Sequence, residues 1–525
     1  MDYFAAVARI GDMKTPVCIE PLEHRIAPAG IILNVVTSAK GVSITEDSAN
    51  PGASVVSFTI EADGDLVIDP TDVVTQLKIN GAAPLAAGDA FTFTGFPGGI
   101  TAKLGLGNDQ ITLTGRIAGA VSFDLGPGTN GVTLTDAEVG GALSVKGGVD
   151  NDTVTFAGTA VDLSGPVKLT LGDGANVLAN TAGTLATGGD FVASSGKGAD
   201  NLLLGGTSVI INGKLDLNSG TGGDSVGFAV TQLLQIGKTA SLKSGGDVNA
   251  STNQTLNGAT AVGVGGVTMA VAVGTANQHV ISANGPVVIT GAATFTSGAG
   301  GDFGEVTVYA DSYLTISDSF KATTASPDGD VDVRAKTVNG RIGGAFTSTG
   351  FSSVVAEFSG AIVGPVKLAL PTLQDGYVFL GTQVSQTAPL WLGAVTIAGK
   401  GLDHTVGLSN ATVQGALKVT TVGGNDTFVI DDTVLLGATS VDLGDNNDRF
   451  LIETGTTPPG TSQIFGKMLL KGGGGGDTFT FGAANANTVL RAVAQITVDG
   501  GAGTDTLTTG ANTTFTLPII KLNIP

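Results

Sequence analysis

The stretch "LGLGNDQITLTG", residues 104–115, contains the pattern that decides the fold of this chain. A glycine-rich turn leads into Asp109, and apolar residues follow it at the second and fourth positions, Ile111 and Leu113. Apolar residues at every second position are typical of a strand with one buried face and one wet face. The same unit returns along the chain, each time with an Asp or Asn where Asp109 stands. We call these residues the anchors.

The anchors recur about every 25 residues, with a second short strand in each interval. A repeat of this size cannot bury its apolar face alone, so identical units are expected to stack on one another. A β-propeller is the alternative, but each of its blades needs about 40 residues and four strands. Two repeat units would then make one blade and would have to alternate in character, and no such alternation is present. The sequence therefore predicts an all-β fold, a parallel β-helix (β-solenoid) of about 17 turns. The predicted anchors are Asp109, Asn130, Asp152, Asn176, Asp200, Asp224, Asp302, Asp330, Asp375, Asp403, Asp426, Asp448, Asp477 and Asp505.

Three regions follow from this periodicity. Residues 1–30 have the character of an export or targeting segment, and residues 31–103 lack the repeat. The second region is predicted to form antiparallel strands with turns, a small N-terminal β cap. This cap would cover the first coil, because an open strand edge invites aggregation. Residues 104–525 form the predicted solenoid, with regular turns at 104–243 and 397–525 and a looser middle at 244–396.

Composition excludes several classes of function. The formal net charge is −20, with 45 acidic and 25 basic residues and no basic stripe, so nucleic acid is a poor partner. Cys18 is the single cysteine, so no intramolecular disulfide framework can form. Residues 256–276 are uncharged, but glycines interrupt them and their valines follow the spacing of strands. We therefore predict no transmembrane span.

Two glycine-rich stretches raise the question of calcium. "GGGGGDTFTFG" (472–482) and "GGAGTDTLT" (500–508) resemble the calcium-binding nonapeptide of repeats-in-toxin proteins. Anchors in register would lie about 4.8 Å apart, and neighbouring carboxylates would repel each other. A cation, backbone N–H donors or neutral Asn anchors would relieve that repulsion, which leaves turn-forming and calcium-binding interpretations open. The resemblance implies calcium as the one cofactor, within 424–505, at Asp426, Asp448, Asp477 and Asp505.

The stretch "CIEPLEHRIAPAG", residues 18–30, resembles a short element near the start of large glycine-rich β-strand-repeat surface proteins of planctomycete and verrucomicrobial bacteria. Leu22, Glu23, Arg25, Pro28 and Ala29 carry the match. The resemblance implies an exported bacterial protein that is extracellular or located at the cell surface.

No catalytic constellation emerges from the sequence. Nucleophile elbows, phosphate-cradling loops and zinc-type Cys/His spacings are missing, and we identify no catalytic residue. The densest unusual set is Tyr377, Trp391, Asp403 and His404, which come from adjacent predicted turns. One interpretation is a ligand groove, and the other is an edge aromatic and a surface histidine beside an anchor.

These observations lead to two expectations of function. The first is a non-enzymatic secreted or cell-surface solenoid that serves adhesion or envelope and matrix structure, with calcium as a candidate stabilising ion. Its partners would be cell-surface or matrix components, glycans, or further copies of the chain. The alternative is a carbohydrate-active β-helix, similar to polysaccharide lyases or hydrolases, that acts on extracellular polysaccharide.

Overall fold

The computed structural model describes residues 30–525 except for short gaps at 247–251, 259, 274–275, 300–302, 327, 337–339, 383–387, 455–459 and 483–488. The export-like segment 1–30 lies outside the described residues apart from Gly30, and so does the resemblance at 18–29. Within the described residues all regular structure is β. The chain forms a parallel β-solenoid of about 16 turns, which confirms the predicted fold class and comes within one turn of the predicted number.

Each coil contributes strands to three parallel sheets, which we call faces 1, 2 and 3. Face 1 follows the glycine-rich turn, and face 3 leads back to the next turn. Four long strands belong to two faces each. Gln110–Ile117 and Gly131–Val139 bend from face 1 onto face 2, and Leu233–Ser244 and Ala261–Val273 bend from face 2 onto face 3.

Face 1 consists of Gln110–Ile117, Gly131–Val139, Thr153–Ala157, Val177–Asn180, Asn201–Leu204, Ser225–Val230, Thr252–Gly258, Ala276–Ala283, Phe303–Ala310, Asp330–Ala335, Ser353–Glu357, Gly376–Gly381, His404–Ser409, Thr427–Asp431, Arg449–Ile452, Thr478–Phe481 and Thr506–Thr509. Face 2 continues from the first two of these strands with Ala160–Leu163, Thr184–Thr187, Ser208–Ile211, Leu233–Ser244, Ala261–Val273, Val287–Ile289, Leu314–Ile316, Gly340–Ile342, Gly360–Ile362, Leu390–Leu392, Ala411–Val413, Val434–Leu435, Thr461–Ile464, Val489–Ala492 and Thr513–Phe515. Face 3 consists of Val121–Asp124, Leu143–Lys146, Val167–Gly172, Phe191–Ser195, Leu215–Asn218, the second halves of Leu233–Ser244 and Ala261–Val273, Ala293–Ala299, Phe320–Thr324, Phe346–Thr349, Val366–Ala369, Val395–Ala398, Leu417–Thr420, Thr439–Asp442, Met468–Gly475, Ile496–Gly503 and Ile520–Leu522.

The first strands of the described chain pair differently from the rest. Three antiparallel pairings occur among them, and four of these strands also pair in parallel with a later strand. Val55–Ile60 lies on the first strand of face 1, and Gly99–Lys103 lies on the first strand of face 3. Antiparallel pairs therefore cover the start of the stack. The seven strands are Ile31–Ser38, Gly41–Glu46, Val55–Ile60, Leu66–Pro70, Thr75–Ile79, Phe91–Phe93 and Gly99–Lys103.

Period-two alternation builds the core, because every second side chain of each strand points inward. One continuous apolar cluster runs from Leu33 to Val498. Aromatic rings stack along the axis where neighbouring coils repeat a phenylalanine. The rings of Phe295 and Phe320 are 5.4 Å apart, and those of Phe320 and Phe346 are 4.8 Å apart and nearly parallel.

The glycine-interrupted stretch at 256–276 belongs to this stack. It contributes to Thr252–Gly258 and Ala261–Val273, which pair in parallel with the coils on either side. Across the described chain no helix combines the length and hydropathy that crossing a membrane requires.

Candidate functional site

Ten of the fourteen predicted anchors form an axial column at the start of face 1, and we call this the anchor column. Members of the column are joined by a ladder in which the backbone N–H of one anchor donates to the side chain of the next. The N–H of Asp109 donates to Oδ1 of Asn130 (2.9 Å), and that of Asn130 donates to Oδ1 of Asp152 (3.1 Å). This run continues through Asn176 and Asp200 to Asp224.

A second run of the ladder contains all four predicted calcium ligands. The N–H of His404 donates to Oδ1 of Asp426 (2.6 Å), and the N–H of Asp426 donates to Oδ1 of Asp448 (2.7 Å). The bonds from Asp448 to Asp477 and from Asp477 to Asp505 are both 2.8 Å. The four carboxylates are buried, with at most 2% of each residue exposed. Their first structural role is therefore to close the turn of the preceding coil.

Between these runs the anchor column carries no carboxylate. The register puts Asp330, Asp375 and Asp403 one position away from the column, so these three predicted anchors are wrong, and Asp302 lies outside the described residues. These three aspartates are exposed, because the inward positions of each coil are fixed by the apolar alternation that follows. The column positions between Asp224 and Asp426 are Thr252, Asn277, Gly304, Gly329, Ser352, Gly376 and His404.

The second oxygen of each anchor depends on the surrounding turn. Oδ2 of Asp224 accepts hydrogen bonds from Ser219 (2.6 Å) and Ser244 (2.7 Å). Oδ2 of Asp152 accepts the backbone N–H of Gly148 at 2.7 Å. At Asn130 the amide replaces that oxygen and donates to glycine carbonyls two and four residues earlier.

Some anchors have no such partner. The Oδ2 atoms of Asp109, Asp448, Asp477 and Asp505 are buried without a hydrogen bond from any described residue. Burial disfavours the charged form of a carboxyl group and raises its pKa. It raises the pKa of Asp109 and of Asp477 to about 6, and that of Asp448 to about 8, where the charges of Asp426 and Asp477 add to the effect.

The geometry limits what a calcium ion could use in this column. Each Oδ1 of the second run already accepts a backbone N–H, which leaves the Oδ2 atoms and nearby carbonyls as ligands. Calcium takes six to eight oxygens. Among the described residues no group of three or more His, Cys, Asp or Glu side chains is arranged to hold a metal ion. Calcium at Asp426, Asp448, Asp477 and Asp505 stays a prediction.

The four predicted groove residues lie in four different environments. Tyr377 is exposed on face 1, whereas Trp391 is exposed on face 2, and each is a little over two-fifths accessible. Asp403 lies in the turn, where its Oδ1 accepts the N–H of Asn425 at 2.7 Å. His404 is buried in the anchor column between Gly376 and Gly399.

Trp391 does line a groove, but with other partners. The groove has a volume of about 600 Å³ and runs along face 2 at its corner with face 1. Its walls include two exposed aromatic residues, Tyr313 and Trp391, and its floor contains Arg341 and Ala361. Sequence reasoning missed Arg341, and it grouped Trp391 with residues of the neighbouring face.

Comparison with known proteins adds no assignment. No family model matches the sequence, no curated protein is similar to it, and no solved structure matches its fold.

Proposed function

We propose that this chain is a non-enzymatic, secreted or cell-surface solenoid that serves adhesion or the architecture of an envelope or extracellular matrix. The observation that carries the proposal is the use of the repeated aspartates. They are buried and joined into a ladder that closes successive turns, so the most regular acidic residues of the chain serve its shape. A long and uniform stack presents repeated faces to a partner, which suits a scaffold.

The location and role can be tested on the cells that make the protein. We expect an antibody against the solenoid to label intact cells, and we expect a deletion strain to attach less well to surfaces or neighbours. Restoring the gene should restore attachment. Labelling that requires permeabilised cells would contradict the proposal.

A carbohydrate-active β-helix is the second candidate, and the groove beside Trp391 is the observation that favours it. None of the described residues that line this groove is acidic, whereas glycosidases need a pair of carboxyl groups. Incubation with acidic and neutral polysaccharides separates the two candidates. Release of reducing ends or unsaturated products that is lost in Arg341→Gln, a substitution inside this groove, would favour the enzyme.

Calcium is a separate part of the proposal. If calcium stiffens the coils at 424–505, a chelator should lower the melting temperature, and calorimetric titration of the chelated protein should release heat. The variant Asp477→Asn should remove part of both effects. No heat and an unchanged melting temperature would remove calcium and leave the scaffold proposal intact.

A further inference from the structure

The groove on face 2 is built by four neighbouring coils. Thr315, Arg341, Ala361 and Trp391 are successive partners in the parallel sheet, and their side chains point outward in one row. Tyr313 stands just before Thr315 at one end of the row, and Trp391 stands at the other end. The small side chain of Ala361 leaves the space between them open.

The two aromatic residues are spaced for an extended ligand. Tyr313 is 44% exposed and Trp391 is 42% exposed, although both are large apolar side chains. Their coils are separated by three strand steps, about 14 Å in all, which is roughly the length of a trisaccharide. Aromatic rings offer broad apolar faces at low entropic cost, and the apolar faces of sugar rings pack on such surfaces.

Arg341 gives the groove its charge. It is exposed, and it makes no ion pair with any described residue. None of the described residues that line the groove is acidic, although the chain as a whole has a net charge of −20. A guanidinium binds a carboxylate through two parallel hydrogen bonds, which gives both energy and orientation.

We infer that this groove binds an acidic oligosaccharide whose sugar rings pack on Tyr313 and Trp391 and whose uronate carboxylate pairs with Arg341. The inference rests on the proposed adhesive function and names its partner class, a uronate-containing glycan. Because none of the described lining residues is acidic, the proposal is one of binding and release of the intact glycan. The glycan lies along the solenoid axis and crosses the coils.

The chain contains its own probe for this site. Trp391 is the single tryptophan, so intrinsic fluorescence reports the groove directly. The titration uses tetrasaccharides of galacturonate, guluronate and hyaluronate, with cellotetraose as the neutral comparison. We expect at least one acidic tetrasaccharide to shift the emission with a dissociation constant below about 1 mM, and we expect cellotetraose to bind at least tenfold more weakly.

Two variants test the charged contact with a matched control. Arg341→Gln should weaken binding of the acidic tetrasaccharide by about tenfold. Arg491→Gln should leave it unchanged, because Arg491 is also exposed and lies in the same row of face 2, beyond the groove. Equal effects of the two substitutions would overturn the assignment of Arg341.

Three further variants, one of them a control, test the aromatic walls and the open floor by calorimetry. Trp391→Ala should weaken binding by about tenfold, whereas Tyr377→Ala removes an equally exposed aromatic from face 1 and should have no effect. Ala361→Leu fills the space between the walls without removing a binding group, and it should also abolish binding. Circular dichroism confirms that each variant is folded.

The failure of this inference is distinct from the failure of the proposed function. If no acidic tetrasaccharide binds, or if cellotetraose binds equally well, the acidic-glycan groove is wrong. Labelling of intact cells and attachment of the deletion strain would still support or contradict the scaffold on their own.

Discussion

Asp448 differs from most buried anchors in the side chain five residues before it. At Asp224 that position is Ser219, whose hydroxyl donates to Oδ2. At Asp448 it is Leu443, which offers no hydrogen bond, and Oδ2 has no partner among the described residues. Leu also precedes Asn130 by five residues, where an amide replaces the second oxygen. The same holds for Asn176. Asp109, the other carboxylate that follows a Leu in this way, also leaves its Oδ2 without a partner among the described residues, so a Leu at this position suits Asn better than Asp.

The substitution Asp448→Asn should stabilise the protein at pH 8 by about 1–2 kcal/mol. The amide keeps the oxygen that accepts the N–H of Asp426, and its nitrogen can donate to turn carbonyls as Asn130 does. The gain should shrink at pH 5, where Asp448 is protonated and carries a hydrogen of its own. Chemical denaturation at the two pH values measures both effects.

Asp152→Asn is the matched control for that prediction. Oδ2 of Asp152 accepts a hydrogen bond from the N–H of Gly148. Its Oδ1 accepts hydrogen bonds from the backbone N–H and the side-chain amide of Asn130. In Asp152→Asn, an amide NH2 group would replace Oδ2 and would face the N–H of Gly148, so that two hydrogen-bond donors would oppose each other. We expect a loss of about 1–3 kcal/mol. A stabilisation by both substitutions would show that hydrogen-bond partners do not decide the preference.

The pH dependence of stability follows from the same residues. Burial raises the pKa of Asp448 to about 8 and those of Asp109 and Asp477 to about 6. The folded state therefore binds more protons than the unfolded state between about pH 4 and pH 8, so its stability must fall as pH rises through that range.

Melting temperatures measured at pH 4.5, 6 and 8 should decrease in that order. The slope between pH 6 and pH 8 should be smaller in Asp448→Asn, which removes the group with the highest of these pKa values. A melting temperature that rises towards pH 8 would mean that the column is charged and paired in the folded state.

The sequence contained the information needed to correct the anchor predicted at Asp330. Apolar residues at the second and fourth positions after the anchor define Asp109, and the same rule selects Gly329, because Val331 and Val333 are buried. Asp330 fails the rule, since it is followed by Asp332 and Arg334 at those positions. The prediction at Asp330 followed the acidic residue and not the apolar alternation, and it is wrong for that reason. The burial of the carboxylates was not predictable, because it depends on which coil lies above each turn.

At the scale of a strand, the stacked phenylalanines make face 3 sensitive to a single substitution. Phe320 packs between Phe295 and Phe346 and is fully buried. Phe320→Ala should cost about 3–5 kcal/mol through lost burial and the cavity left behind. Because coils interact mainly with their neighbours, the loss should appear first as faster hydrogen exchange in 293–349.

Phe465→Ala is the control for Phe320→Ala. Phe465 follows Thr461–Ile464 and is 43% exposed, so its truncation leaves no cavity in the core. We expect a change within about 0.5 kcal/mol. Equal losses for the two substitutions would contradict the role of the aromatic stack.

The groove of face 2 could not be predicted from the sequence, because its residues are brought together only by the register of the strands. The intervals between its successive row members, from Thr315 through Arg341 and Ala361 to Trp391, are 26, 20 and 30 residues. Loops of unequal length absorb these differences. Without the register, Trp391 cannot be matched to Arg341. Sequence proximity pairs it instead with Tyr377, an aromatic residue of the preceding strand that lies on another face.

At the scale of the whole molecule, the stack fixes a minimum length. About 16 turns at about 4.8 Å each give a column of about 77 Å before the N-terminal strands are added. A compact globule of 525 residues would have a diameter of roughly 60 Å. Small-angle X-ray scattering should give a maximum dimension above 80 Å and a cross-section profile typical of a rod. A maximum dimension near 60 Å would contradict the stack.

The ladder of the anchor column has a direction. Within its two runs, the backbone N–H of each member donates to a side chain of the coil that comes after it in the chain, as that of Asp426 does to Asp448 and that of Asp448 to Asp477. During synthesis, a newly made turn of either run must therefore wait for about 25 more residues, or about 1–5 s on the ribosome, before its N–H is satisfied. The growing tip is always one coil short of completion, which makes it the place where a chaperone or a second nascent chain could attach.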